Sequence, residues 1–145
     1  MVSSQLGFSS WDLESSIAKG ILSCGWESPT EIQRESIPPA RRGQDIVGQA
    51  KTGSGKTGAF GIPILESCNP AGHPQAIVLC PTRELAVQVA EEMDSLQGDK
   101  GLSTQTVYGC TDLEKQAKKL GKAVKKKAGD VGRAVKKSAT EDEYN

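Results

Sequence analysis

The sequence predicts an α/β fold: a parallel sheet with helices on both faces, followed by a basic amphipathic helix at the C-terminal end. Three observations predict it. Short apolar runs of strand length alternate with longer segments whose apolar residues recur at helical spacing. A glycine-rich turn, Ala50 to Thr57, sits between one such run and the helix after it. The charge divides along the chain: residues 1–110 hold 8 Lys/Arg and 12 Asp/Glu, residues 111–145 hold 10 and 6. An acidic body of net −4 thus precedes a basic tail of net +4. The body, residues 1–111, reads as one partial domain and residues 112–145 as a tail.

The first helix is expected after a Ser9-Ser10 cap, with Leu13, Ile17, Ile21 and Leu22 on one face and Cys24-Gly25 as its stop. Thr30-x-x-Gln33 fits a capping box and starts a second, short helix that should end before Pro38-Pro39. Asp45 to Gln49 reads as a strand. From Lys56 the chain turns helical, with Phe60, Ile62 and Leu65 to bury and Pro63 bending or ending the helix. Ser67 to Gln75 is loop by its Pro, Gly and Asn content, and Ala76 to Cys80 is an apolar strand of the kind buried inside a parallel sheet. A helix from about Glu84 to Leu96 carries Leu85, Val89, Met93 and Leu96 at helical spacing, and Gly98 ends it. Ser103 to Tyr108 is the third strand. Thr111-x-x-Glu114 is a further capping box. Beyond it Leu113, Ala117, Leu120, Val124, Ala128, Val131 and Val135 fall within an arc of about 80° on a helix, opposite most of the lysines.

At 145 residues, with 36% hydrophobic and 25% charged residues, the chain suffices for one ordinary domain and not for two. The longest unbroken apolar run is strand-length, which excludes a membrane span, and Met1 to Gln5 has no basic or apolar character. A cytoplasmic, soluble protein is expected. Cys24, Cys68, Cys80 and Cys110 lie far apart and His73 is alone in a loop, so buried free thiols are expected rather than zinc ligands or disulfides.

Ala50-Lys51-Thr52-Gly53-Ser54-Gly55-Lys56-Thr57 follows a predicted strand and opens a predicted helix, the context a phosphate-binding loop requires. Its glycines let successive N–H groups turn toward phosphate oxygens, and the helix N-terminus adds partial positive charge. Lys56 can reach the outer phosphates, and Thr57 can offer its hydroxyl to Mg2+. An ordinary Gly/Ser turn leaves the Lys-Thr pair at the helix start unexplained.

With these residues the chain resembles the DEAD-box RNA helicases. Their phosphate loop reads Ala-x-Thr-Gly-x-Gly-Lys-Thr, as Ala50 to Thr57 does. Gly25-Trp26-Glu27-Ser28-Pro29-Thr30-Glu31-Ile32-Gln33 looks like the family's Q motif, with Phe8 standing where the family keeps an isolated aromatic. Pro81-Thr82-Arg83-Glu84-Leu85-Ala86 matches motif Ia. The resemblance implies a RecA-like (P-loop) sheet, ATP and Mg2+ as cofactors, and RNA or another nucleic acid as partner. Residue by residue, it implies that Gln33 bonds the adenine edge and Phe8 packs on the base, while Pro81, Thr82, Arg83 and Gly109 lie along RNA. Taken alone, Gln33 equally suits a helix cap with Thr30, and residues 81–83 a strand-turn-helix corner with a solvated arginine.

The resemblance runs from Phe8 to about Leu120. Cys110 replaces the second glycine usual after Tyr108-Gly109. Strands ending in Thr-Pro-Gly-Arg and Asp-Glu-Ala-Asp, expected next, are not in this sequence, and Ser138-Ala139-Thr140 and Asp142-Glu143 have no apolar strand before them. These features lead to the expectation of a truncated, nucleotide-binding fragment unable to hydrolyse ATP or unwind RNA alone. A non-enzymatic module whose basic tail binds nucleic acid or an acidic membrane surface, and a non-functional product, stay open as alternatives.

Overall fold

The computed structural model describes residues 7–109 and 113–123. A 3-10 turn, Phe8–Trp11, leads into α1 (Ser15–Ser23), α2 (Glu31–Arg41), α3 (Lys56–Ser67), α4 (Arg83–Leu96) and α5 (Leu113–Ala123). Cys110, Thr111, Asp112 and the tail from Val124 onward, including most of the predicted basic helix, lie outside the described residues.

The helices cohere because each carries an apolar stripe and the stripes meet. α3 packs against both α2 and α4, and α1 packs on α4 and touches α3. Ile17, Ile37, Ile62 and Leu96 are completely enclosed, with Phe8, Ile21, Leu65, Val89 and Met93 around them. α1 reaches α4 at very short range. A Cβ on Gly20 would collide with the Leu96 carbonyl, and one on Gly98 with the Ser16 carbonyl, so backbone rests on backbone at this crossing.

Polar ties close the layer. Arg41 donates to the carbonyls of Trp11 and Asp12 and pairs with Glu66 at 2.8 Å, fastening the 3-10 turn and α3 to the end of α2. Lys100 buries its ammonium against the end of α3. It donates to the Leu65 and Glu66 carbonyls at 2.7 and 3.1 Å and to the Glu14 carboxylate at 2.6 Å. These bonds satisfy helix-end carbonyls that would otherwise lack partners.

Several sequence expectations are corrected. The first helix starts at Ser15 rather than after Ser9-Ser10, because residues 8–11 form the 3-10 turn and Asp12 takes a left-handed conformation, φ 48°. Leu22 points outward, a helical step of 100° away from Ile21. α2 continues through Pro38-Pro39 to Arg41. Proline in a helix interior costs about 3 kcal/mol. Here the buried Ile37 before the prolines and the anchored Arg41 after them hold the last turn. α3 likewise runs past Pro63, held by Ile62 and Leu65 on its buried face, while Phe60 stays partly exposed. Of the thiols, Cys68 is buried, but Cys24 and Cys80 are half-buried. Burial, with Glu92 nearby, pushes the Cys24 thiol up from its ordinary value.

The expected sheet is not formed among the described residues. Residues 44–50, 74–80 and 101–108 are without helix, and among the described residues no strand ladder forms. Val47 is wholly exposed, and Ile77 and Leu79 are 82% and 90% exposed. A strand hides its apolar faces only when neighbours satisfy its backbone and helices cover it. Beside residues 43–48, instead, an open groove of about 950 Å³ is bordered by Ile32 and Ala40 of α2, Phe60 and Pro63 of α3, and Ile46.

Candidate nucleotide and nucleic-acid sites

The glycine-rich turn folds as a tight loop at the head of α3. Gly53 and Gly55 adopt φ 77° and 86°, in the left-handed region that side chains disfavour, and Gly55 is the N-cap residue. The Ser54 N–H bonds back to the Lys51 carbonyl at 3.2 Å, closing the turn. No side chain caps α3, so its first-turn N–H groups face the loop with the positive end of the helix behind them. The Lys56 ammonium folds over the loop onto the Ala50 carbonyl at 2.6 Å. Ser54 Oγ is enclosed without a hydrogen-bond partner. Thr57 is half-buried in the first turn, and Lys51 and Thr52 are exposed at the rim.

Gln33 is brought directly to this loop. Its side chain is 1% exposed. Nε2 donates to the Gly55 carbonyl at 3.0 Å and Oε1 accepts the Thr30 N–H at 3.0 Å. One amide thus serves as helix cap and as brace of the loop. Thr30 and Gln33 together form the capping box that the sequence pattern predicts at the start of α2. Phe8 enters the core instead of standing open beside the loop. It lies edge-on to Trp11 with centroids 5.5 Å apart and stacks on Trp26 at 6.3 Å.

A second cluster forms where α4 begins. Pro81 and Thr82 are exposed, and Thr82 Oγ1 caps α4 by accepting the Leu85 N–H at 3.2 Å. The Arg83 guanidinium stands 5.2 Å from the Tyr108 ring centroid, which draws motif Ia toward exposed Gly109. Sequence reasoning missed what holds that neighbour in place. The Gln116 amide pairs with both the N–H and the carbonyl of Tyr108, each at 3.0 Å, in the manner of a strand partner. No periodicity signals such a side-chain-to-backbone pair. Sequence reasoning also missed Gly58, whose enclosure in the first turn of α3 leaves no room for a side chain.

Comparisons with known proteins identify the family. The DEAD/DEAH box helicase family profile matches residues 30–139. The chain is 46% identical over 114 residues to the ATP-dependent RNA helicase CshA of Limosilactobacillus reuteri, covering 78% of this chain and 23% of that protein. It is 44% identical over 116 residues to the DEAD-box ATP-dependent RNA helicase CshA of Bacillus subtilis, covering 79% and 24%. The chain therefore spans about a quarter of the length of these relatives. Among solved structures, a DEAD box protein from Methanococcus jannaschii superposes with a TM-score of 0.75 at 43% identity, over 79% of this chain and 32% of that one. The RNA helicase Prp28 from Chaetomium thermophilum, bound to ADP, superposes with a TM-score of 0.67 at 36% identity, over 77% and 28%. By the family match over residues 30–139 and these likenesses, the chain belongs to the DEAD/DEAH box helicase family.

Proposed function

We propose that this chain binds ATP with Mg2+ through Ala50 to Thr57 and Gln33, and that it contacts RNA through Pro81, Thr82, Arg83 and Gly109. The observation that carries the proposal is the uncapped head of α3 behind a left-handed glycine turn, with Gln33 bonded to that turn. The loop N–H groups and Lys56 hold the phosphates, releasing Lys56 from the Ala50 carbonyl. Thr57 holds the cation, and the remaining N–H of Gln33 reads the adenine edge. In phosphoryl transfer the bound cation supplies charge neutralisation between the phosphate oxygens. These 145 residues contain no Asp-Glu-Ala-Asp segment to complete that arrangement, so the chain alone binds nucleotide without turning it over. The extended segments 44–50, 74–80 and 101–108 are the parallel strands of a RecA-like sheet, completed when partner strands are supplied.

Thermal melts with and without ATP and Mg2+ test this reading. A ligand at ten times its Kd stabilises the fold by about 1.4 kcal/mol. In a domain this small that raises Tm by about 4 °C or more. The shift is expected with the native chain and is lost in Lys56→Ala. A folded protein with no shift at millimolar ATP overturns the proposal. ATP turnover above the Lys56→Ala background refutes the non-hydrolytic part.

A second reading adds sequence-independent nucleic-acid affinity from residues 112–145. It is favoured by the exposure of Lys118 and Lys119 on α5 and by the net +4 of the tail. Lysines that neutralise phosphates give log K a slope of about 0.9 per contact against log salt. Removing residues 112–145 flattens that slope; an unchanged slope returns the tail to a structural role, such as docking on the acidic body.

A further inference from the structure

Gly58 is the third residue of α3, in its first turn, and the position is tightly enclosed. A Cβ added there would stand 2.6 Å from Cζ3 and 2.7 Å from Cη2 of Trp26, and 2.7 Å from Nε2 of Gln33. Gly58 is therefore the space into which the outer edge of the Trp26 ring and the Gln33 amide fit together. Neither neighbour yields cheaply. The Trp26 ring stacks on buried Phe8, which is braced by Trp11, and the Trp26 backbone N–H is bonded to the Ile21 carbonyl at 3.2 Å. Gln33 is fixed at both ends of its amide, by the Thr30 N–H and by the Gly55 carbonyl.

We propose that Trp26 and Gly58 are a positioning pair that sets base selectivity: the indole edge, seated over the bare Gly58 backbone, holds the Gln33 amide in the orientation that reads adenine. The inference rests on the nucleotide-binding reading above. It gives Trp26 and Gly58 a role in seating Gln33, and it explains a side-chain-free position in the first turn of α3 beside a half-buried tryptophan. A rotamer change at Gln33 breaks its bond to Gly55 and turns its free N–H away from the base, but leaves the phosphate-facing N–H groups of the loop in place. Base reading and phosphate holding are thereby separable.

Calorimetric titration with ATP, GTP and inorganic triphosphate, each with Mg2+, tests the pair, with a thermal melt of every variant as the control for folding. Gly58→Ala is expected to weaken ATP about tenfold, the loss of one hydrogen bond, to leave triphosphate unchanged, and to erase the preference for ATP over GTP. Trp26→Phe removes the benzo carbons that the new methyl would strike but leaves its clash with Gln33 Nε2, so Trp26→Phe/Gly58→Ala is expected to recover thermal stability and not the preference. Trp26→Leu adds no bulk near α3 and removes the backstop, so it keeps the fold, lowers the preference and serves if Gly58→Ala does not fold. A native protein that binds neither ATP nor triphosphate overturns the nucleotide-binding reading and the pair with it. A native protein that prefers ATP, with Gly58→Ala or Trp26→Leu folded and equally selective, overturns the pair alone. Equal losses for ATP and triphosphate assign both residues a merely structural role and also overturn it.

Discussion

The helical layer and the extended segments have similarly apolar residues and opposite fates. In α1 to α4 the isoleucines at 17, 37 and 62 are enclosed, whereas Val47, Ile77 and Leu79 stand in solvent. The difference lies in the backbone. A helix satisfies its N–H and C=O groups internally, so four of them need only match apolar faces to form a core. A strand satisfies none of its own, and its side chains are hidden only after neighbouring strands have paired and helices have covered the sheet. The site chemistry follows the same division. The loop after residues 44–50 is held by α2 and α3, and so is shaped without a sheet beneath it.

The strongest challenge to the helical half is Gly20→Leu. Its side chain would have to enter the crossing where the α1 backbone rests on Leu96 and Gly98, and backbone cannot repack as side chains do. The expected outcome is loss of the cooperative urea transition. A protein that still melts sharply would show that α1 is dispensable to the layer.

The next largest effect compares the two regions directly. Ile62→Ala removes a fully enclosed side chain and is expected to cost about 2–5 kcal/mol in urea denaturation. Leu79→Ala, at a position 90% exposed, is expected to stay within about 0.5 kcal/mol. Equal costs would mean that the extended segments are buried in solution, by self-association or by a sheet that forms there. Repeating the pair across protein concentrations separates those causes.

Lys100→Ala probes the polar tie that closes the helical layer and should cost less, about 1–3 kcal/mol, by leaving the Leu65 and Glu66 carbonyls and the Glu14 carboxylate without their donor. Lys100→Arg tests geometry rather than charge: the planar guanidinium does not fit a pocket that receives three acceptors at one nitrogen. Full stability in Lys100→Arg would assign the contribution to charge alone.

The sequence announced the helices because their spacing is local. Val89, Met93 and Leu96 read as a helical stripe and are buried as one, and the Thr30-x-x-Gln33 pattern does start α2. The loop from Ala50 to Thr57 was legible for the same reason, being written in consecutive residues. Helix ends were less so. Pro38-Pro39 and Pro63 are local stop signals overridden by burial of Ile37, Ile62 and Leu65, residues whose partners lie far along the chain. The apolar run Ala76 to Cys80 reads as a buried strand, but pairing and burial depend on segments other than the run itself, and no ladder forms among the described residues. The contacts that shape the candidate sites, Trp26 over Gly58 and Gln116 along Tyr108, are side-chain packing and pairing with no period to betray them.

The smallest expected effect is electrostatic and sits at the α1–α4 crossing. Lys19, hydrogen-bonded to Asp99 at 2.6 Å with Ser16 beside it, holds the Asp99 carboxyl below the ordinary carboxylate range. Both side chains are exposed, so solvent screens the pair and its contribution to stability is slight. Its pH dependence nevertheless has a definite sign. The folded-state pKa lies below the unfolded one, so the contribution is complete above the unfolded value of about 4 and is lost as pH falls through the folded value. Asp99→Asn should therefore melt slightly below the native chain at pH 7 and together with it at pH 2, and added salt should shrink the gap at pH 7. A gap that persists at pH 2 would assign Asp99 an uncharged role, as an acceptor that helps seat the turn after α4 against α1.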